Sequence, residues 1–195
     1  MKKRIVIGIT GASGARYGIR LLEALKGKAE TFLVISEQAA ELIEYETSYK
    51  VSDVIKMASH HYEDTDFYAP IASGSFKFDA MVIVPCSMKT LSAVANGYAD
   101  TLIGRAADVS LKEGKRLVLV TREMPLSLIH LENMVKVKHA GGCIMPACPG
   151  FYNKPESIDD LVNNVAGRIM DQIGIDNDIF HRWGEPEEKA PRKKK

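Results

Sequence analysis

The chain has 195 residues, 46% of them hydrophobic, with 26 Lys and Arg against 25 Asp and Glu and a formal net charge of +1. That length supports one domain with a sizeable core, and the near-neutral balance offers no general attraction to nucleic acid. Three cysteines without Cys-x-x-Cys spacing argue against a disulfide framework or a zinc site and for a reducing cytoplasm, and neither a secretory h-region nor an apolar run of spanning length points to a membrane.

In chain order, the first element carries the most information. Ile5 to Ile9 is apolar throughout, as a strand buried on both faces should be, and the strand is expected over Arg4–Thr10. Gly11, Ala12, Ser13 and Gly14 then form a small-residue loop, and Ala15–Lys26 follows with helical periodicity. A strand, a tight loop and a helix N-terminus aim backbone N–H groups at an anion, most often a phosphate; a ligand-free turn is the plainer alternative. Further strands are expected at Glu30–Ser36, Ala80–Pro85, Arg116–Thr121 and Cys143–Pro146, and helices at Gln38–Thr47, Val51–Met57, Thr90–Ala95, Gly104–Lys112, Ser127–Lys138 and Ile158–Ile173. Strands alternating with helices make a single-domain, doubly wound α/β fold: a Rossmann-like or flavodoxin-like three-layer sandwich around a parallel sheet over residues 1–183. Residues 184–195 read as a charged, disordered tail.

Ligands of such sheets sit beyond the carboxyl ends of the strands. Small hydroxyls gather there: Ser13, Ser36, Ser87 and Thr90, with Arg122 and Glu123 after the fourth strand and Tyr152 after the fifth. Ser87 to Thr90 reads equally as a helix cap and as an anion site. Arg105, Asp108 and Lys112 share one helix face, as a solvated ladder or as phosphate ligands. Glu46 closes a helix, where an acid opposes the dipole, and so stands out as a candidate carboxylate. His60-His61 lacks metal-ligand spacing and reads as a loop pair. Trp183, the sole Trp, reads first as a packing anchor. No Gly-x-Gly-x-x-Gly and no Gly-Lys-Ser/Thr motif occurs, and no acidic cluster is placed to hold Mg²⁺ on a diphosphate, so phosphate chemistry would use Arg, Lys and backbone donors.

Taken together, Gly8 to Ala15, Ser73-Gly-Ser-Phe76, Pro85-Cys-Ser-Met-Lys-Thr-Leu91, Gly104 to Glu113, Arg122-Glu-Met-Pro-Leu126, Ile129-His-Leu-Glu-Asn-Met134 and Pro149-Gly-Phe-Tyr152 resemble the UbiX-like flavin prenyltransferases, in the branch that accompanies phenolic acid decarboxylases. The resemblance runs in register over residues 4–183. It implies transfer of a dimethylallyl group from dimethylallyl phosphate to N5 and C6 of reduced FMN, without a metal, giving the cofactor of a UbiD-type decarboxylase. Carried over by motif, Gly11, Ala12, Ser13, Ser36, Ser87, Met88, Lys89, Thr90 and Arg122 would hold FMN. Arg105, Tyr152 and Arg168 would bind the prenyl phosphate with Lys112 beside them; Glu46 and Glu123 match the family's active-site acids, and Trp183 its aromatic near the allyl chain. Phe67 stands where some members carry Trp. The family's homododecamers imply a site shared between subunits. A flavin-dependent cysteine decarboxylase is the nearest alternative, but Pro85 to Thr90 lacks its Asn and no Pro-x-Met-Asn segment occurs. A non-catalytic flavin carrier would have no need of Lys112, Arg122, Glu123, Tyr152 and Arg168.

Overall fold

Six segments of the chain form strands, and all of them pair in parallel. The computed structural model describes residues 1–184; the charged residues 185–195, the bulk of the expected tail, lie outside the described residues. The strands are β1 (Lys3–Ile9), β2 (Ala29–Ile35), β3 (His60–Glu63), β4 (Ala80–Cys86), β5 (Arg116–Thr121) and β6 (Cys143–Ile144), in the order β3-β2-β1-β4-β5-β6. This is the order of a doubly wound nucleotide-binding sheet. The helices are α1 (Ala15–Leu25), α2 (Glu37–Glu46), α3 (Val51–Ile55), α4 (Met88–Ala95), α5 (Leu102–Lys112), α6 (Leu128–His139) and α7 (Ile158–Gln172), with a 3₁₀ turn at Pro70–Ala72.

Alternation along the strands divides the core in two. Ile5, Ile7 and Ile9 of β1, with Leu33, Val82 and Val118, face α1 and α7. Val6, Phe32, Met81, Ile83 and Leu119 face the opposite way, onto α4 and α5. Both faces are covered, which is why these strands read as unbroken apolar runs. Gly18 lets α1 lie close on the sheet: a Cβ there would sit 2.5 Å from the Val84 carbonyl oxygen. Ser residues cap α2, α4, α6 and α7, each accepting a backbone N–H of the first turn.

The His60-His61 pair corrects the sequence expectation. It opens an edge strand, His60 pairing with Phe32 and His61 with Leu33. The His60 ring stacks on Phe32 at 4.7 Å between centroids and meets Glu30 through Nε2 at 3.0 Å, so polar residues at the sheet edge gain partners that a strand of only four residues could not supply from its own sequence. Among the described residues no helix is long and apolar enough to cross a membrane.

Candidate active site

The strand order reverses between β1 and β4, and the site is built there. Thr10 fastens the two strand ends: its buried hydroxyl donates to the Pro85 carbonyl at 2.8 Å and accepts the Ser87 N–H at 2.9 Å. Beyond this point opens a cleft of about 470 Å³, lined among others by Gly11, Ser36, Ser87, Met88, Lys89, Thr90 and Glu123. Four separate loops expected from the sequence thus meet on one hollow. A larger cleft of about 590 Å³ lies between α1, α7 and the end of α2. Its charged groups are engaged, Arg16 with Asp159, Arg20 with Glu23 and Glu46 with backbone N–H groups at the start of α1, so it offers less unspent chemistry than the smaller one.

The loop after β1 departs from the expected phosphate cradle. Gly14 takes the left-handed conformation (φ 105°) and starts α1 without a side-chain cap of its own. The N–H groups of Gly14 and Ala15 instead donate to Glu46 Oε2, at 2.8 and 3.2 Å. Glu46 ends α2, where its charge is unfavourable, and settles on the positive end of α1, where it is favourable. The anion at this helix start is therefore a side chain of the chain itself. The starts of α2, α4 and α5 all face the cleft, and of these α4 has a Lys in its first turn. Ser87 caps it, accepting the Thr90 N–H at 3.2 Å and lying 3.1 Å from the Thr90 hydroxyl, with Lys89 exposed alongside. Hydroxyls, helix end and cation together suit a phosphate monoester.

Arg122 follows β5. Its Nε is buried without a hydrogen-bond partner, as is the Thr121 hydroxyl beside it. Arg122 also pulls down the Tyr17 phenol, which burial and Cys148 push above its ordinary value, so the guanidinium stands close to the first turn of α1. Glu123 is exposed on the cleft and accepts only its neighbour Met124 N–H, at 3.0 Å. Ala12 is buried under the loop and Ser13 is exposed on it. The cleft thus carries hydroxyls and one exposed Lys together with Glu37, Asp64, Asp100 and Glu123, and Arg122 adjoins Glu123 without itself lining it.

One residue of the cleft escaped the sequence reading. Asp64 is pushed above the usual carboxylate range, chiefly by burial, although the Ile103 N–H (2.9 Å) and Thr101 oppose this. It lies in an irregular stretch after a short edge strand, where spacing carries no signal.

The residues assigned to the prenyl phosphate form two separate groups. Arg105 donates to the Ala72 carbonyl at 3.1 Å and to Asp108 at 2.7 Å. Lys112 pairs with Glu113, holding that carboxyl below its ordinary range, and a Cβ on Gly74 would lie 2.7 Å from its Nζ. Both cations of α5 thus gather around the Ala72–Gly74 stretch. Arg168 lies on α7, 2.9 Å from Asp171. Tyr152 meets Trp183 edge to face at 5.6 Å, and Trp183 is 82% exposed, which excludes the packing-anchor role within one protomer. The helices α5 and α7 pack on opposite faces of the sheet. One protomer therefore does not bring Arg105 and Lys112 to Arg168. Among the described residues no group of three or more His, Cys, Asp or Glu side chains could hold a metal ion.

The flavoprotein family model matches residues 1–170. A flavin prenyltransferase UbiX from Thermoplasma acidophilum is 56% identical over 180 residues, covering 92% of this chain and 99% of that protein. The crystal structure of AnUbiX (PadA1) in complex with FMN and dimethylallyl pyrophosphate superposes with a TM-score of 0.94 at 49% identity, covering 96% of this chain and all of that one. A dodecameric FMN-dependent UbiX-like decarboxylase from Escherichia coli O157:H7 superposes at 0.86 and 51% identity, over 88% of this chain and 94% of its own. With near-complete coverage in both sequence and fold, the chain belongs to the UbiX-like flavin prenyltransferases.

Proposed function

We propose that this protein is a flavin prenyltransferase that joins the dimethylallyl group of dimethylallyl phosphate to N5 and C6 of reduced FMN, and that a UbiD-type decarboxylase receives the product. The observation that carries this reading is the hydroxyl-lined cleft beyond β1 and β4, with the partnerless Nε of Arg122 next in sequence to its lining residue Glu123, in a fold that superposes closely on a relative holding FMN and an allylic diphosphate.

On this reading Gly11, Ala12 and Ser13 cover the flavin, Ser36 and Ser87 to Thr90 hold its ribityl phosphate, and Arg122 supplies a charge-assisted hydrogen bond. Reduced FMN, once bound, supplies the nucleophilic positions that accept the prenyl group. Arg105, Lys112, Tyr152 and Arg168 stabilise the charge that grows on the phosphate as the allylic C–O bond breaks. Because α5 and α7 lie on opposite faces of the sheet, these groups come from different subunits, consistent with a dodecamer like that of the Escherichia coli relative. The exposed Trp183 and Tyr152 rings face the electron-poor allyl fragment. Of the two acids, Glu46 is tied to the start of α1, whereas Glu123 is free on the cleft. Glu123 is therefore the group that takes the proton released at C6. Three free cysteines suit a cytoplasmic enzyme.

The test is anaerobic incubation with reduced FMN and dimethylallyl phosphate, followed by mass analysis of the released flavin. A gain of one prenyl unit is expected; a flavin of unchanged mass, with FMN bound, refutes the assignment.

A further inference from the structure

We propose that Asp171 is a positioning residue for the prenyl-phosphate half of the site: its one carboxylate fixes the guanidinium of Arg168 and, through Arg182, the place of Trp183. The proposal rests on the roles given above to Arg168 and Trp183.

The segment after α7 folds back along that helix, and Asp171 is the knot that holds it. Asp171 Oδ2 accepts from Arg168 Nη1 at 2.9 Å and from Arg182 Nη1 at 2.9 Å. Its Oδ1 accepts from Arg182 Nη2 at 2.7 Å and from Asn177 Nδ2 at 3.0 Å. Four donors from three residues therefore converge on two oxygens, and the Arg182 pair is bidentate, the geometry that fixes direction as well as distance. The surroundings reinforce it. Asn177 also donates to the Gly167 carbonyl, and Phe180 packs against Gly167 at a spot where no side chain would fit. Arg182 lies over the Phe180 ring at 4.8 Å. The Asp171 side chain is 19% exposed, so the cluster is largely screened from solvent. The two cations hold its carboxyl below the ordinary range, Arg182 more than Arg168.

Trp183 comes one residue after this clamp and makes its contact with Tyr152 from an otherwise exposed position. Its placement is thus inherited from Arg182. The same carboxylate restrains Arg168, which is half exposed on α7 and would otherwise sample several rotamers. One acid coordinates a phosphate ligand and an aromatic wall that are fifteen residues apart in sequence.

Trp183 is the only Trp of the chain, so its fluorescence reports the clamp directly. In the flavin-loaded full-length protein, Asp171→Asn should lower the anisotropy of Trp183 emission. It should also raise KM for dimethylallyl phosphate about three- to tenfold, leave kcat less affected and leave FMN affinity unchanged. Asp171→Glu, which keeps the charge, should recover part of both effects. Arg182→Gln should lower the anisotropy while leaving Asp171 on Arg168, and so raise KM less than Asp171→Asn does. Wild-type anisotropy and KM in Asp171→Asn overturn the proposal, as does a loss of FMN affinity equal to the rise in KM. If the wild-type chain transfers no prenyl group, the functional reading fails on its own; the clamp is then decided by the anisotropy of Asp171→Asn, which unchanged overturns it.

Discussion

Arg122 offers a prediction in which stability and binding move in opposite directions. Its Nε is buried without a partner in the free chain. An unsatisfied buried donor costs about 1–3 kcal/mol, and for a half-buried side chain the lower end applies. Arg122→Met keeps the apolar stem and removes that donor. The flavin-free variant should therefore be more stable than wild type by about 1 kcal/mol, which for a domain of this size is about 2–4 °C in Tm. FMN should reverse the order. A hydrogen bond from a charged group contributes about 1.5–3 kcal/mol, so losing it weakens FMN binding about 10- to 150-fold. At an FMN concentration of a hundred wild-type Kd, ligand adds about 2.7 kcal/mol to the wild type but only about 0.3–1.4 kcal/mol to the variant. Thermal unfolding with and without FMN, at fixed protein concentration, should show the two proteins exchanging rank. A variant less stable in the absence of FMN, with unaltered FMN affinity, would mean that Arg122 is a structural group and that the flavin site lies elsewhere.

Three further outcomes follow from the packing. Gly18→Ala places a Cβ 2.5 Å from the Val84 carbonyl; α1 must lift from the sheet, and denaturant unfolding should show a loss of about 1–3 kcal/mol. Asp64 has its folded pKa raised above the unfolded value of 3.8, so the native state binds the proton more tightly. Its favourable contribution is then complete below pH 3.8 and is lost as pH rises through the folded value. Asp64→Asn should accordingly stabilise the protein at pH 7, with the advantage fading in acid, as measured by unfolding across pH. Burial pushes the Cys86 thiol well up, while Cys148 is exposed. Mass-mapped alkylation of the native protein should modify Cys148 first and reach Cys86 only in denaturant.

The central strands were legible because each is covered on both faces, and continuous apolar runs such as Val82 to Val84 leave no other reading. β3 was not, because His60-His61-Tyr62-Glu63 has neither an apolar run nor a buried face; it becomes a strand through its neighbour β2. The sequence marked Glu46 as an acid on the wrong end of α2. Only the fold shows that α1 begins beside it. Likewise, the spacing of Arg105 and Lys112 placed them on one helix face but carried no information about which side of the sheet that helix covers. The hydroxyl loops of the cleft were found because they follow strands directly. Asp64 was missed because it follows none that could be recognised.

The division of cations between α5 and α7 has a consequence for how such a protein comes into use. On the function proposed above, a newly made, solitary chain would be able to capture flavin yet lack part of the phosphate-binding set, since the cations of α5 lie on the face of the sheet opposite to Arg168 of α7. Catalytic competence would then rise with subunit concentration more steeply than flavin capture. Dilution should silence transfer while the bound chromophore remains, so that quaternary assembly itself acts as the safeguard against releasing a reactive carbocation where no nucleophile is aligned to receive it.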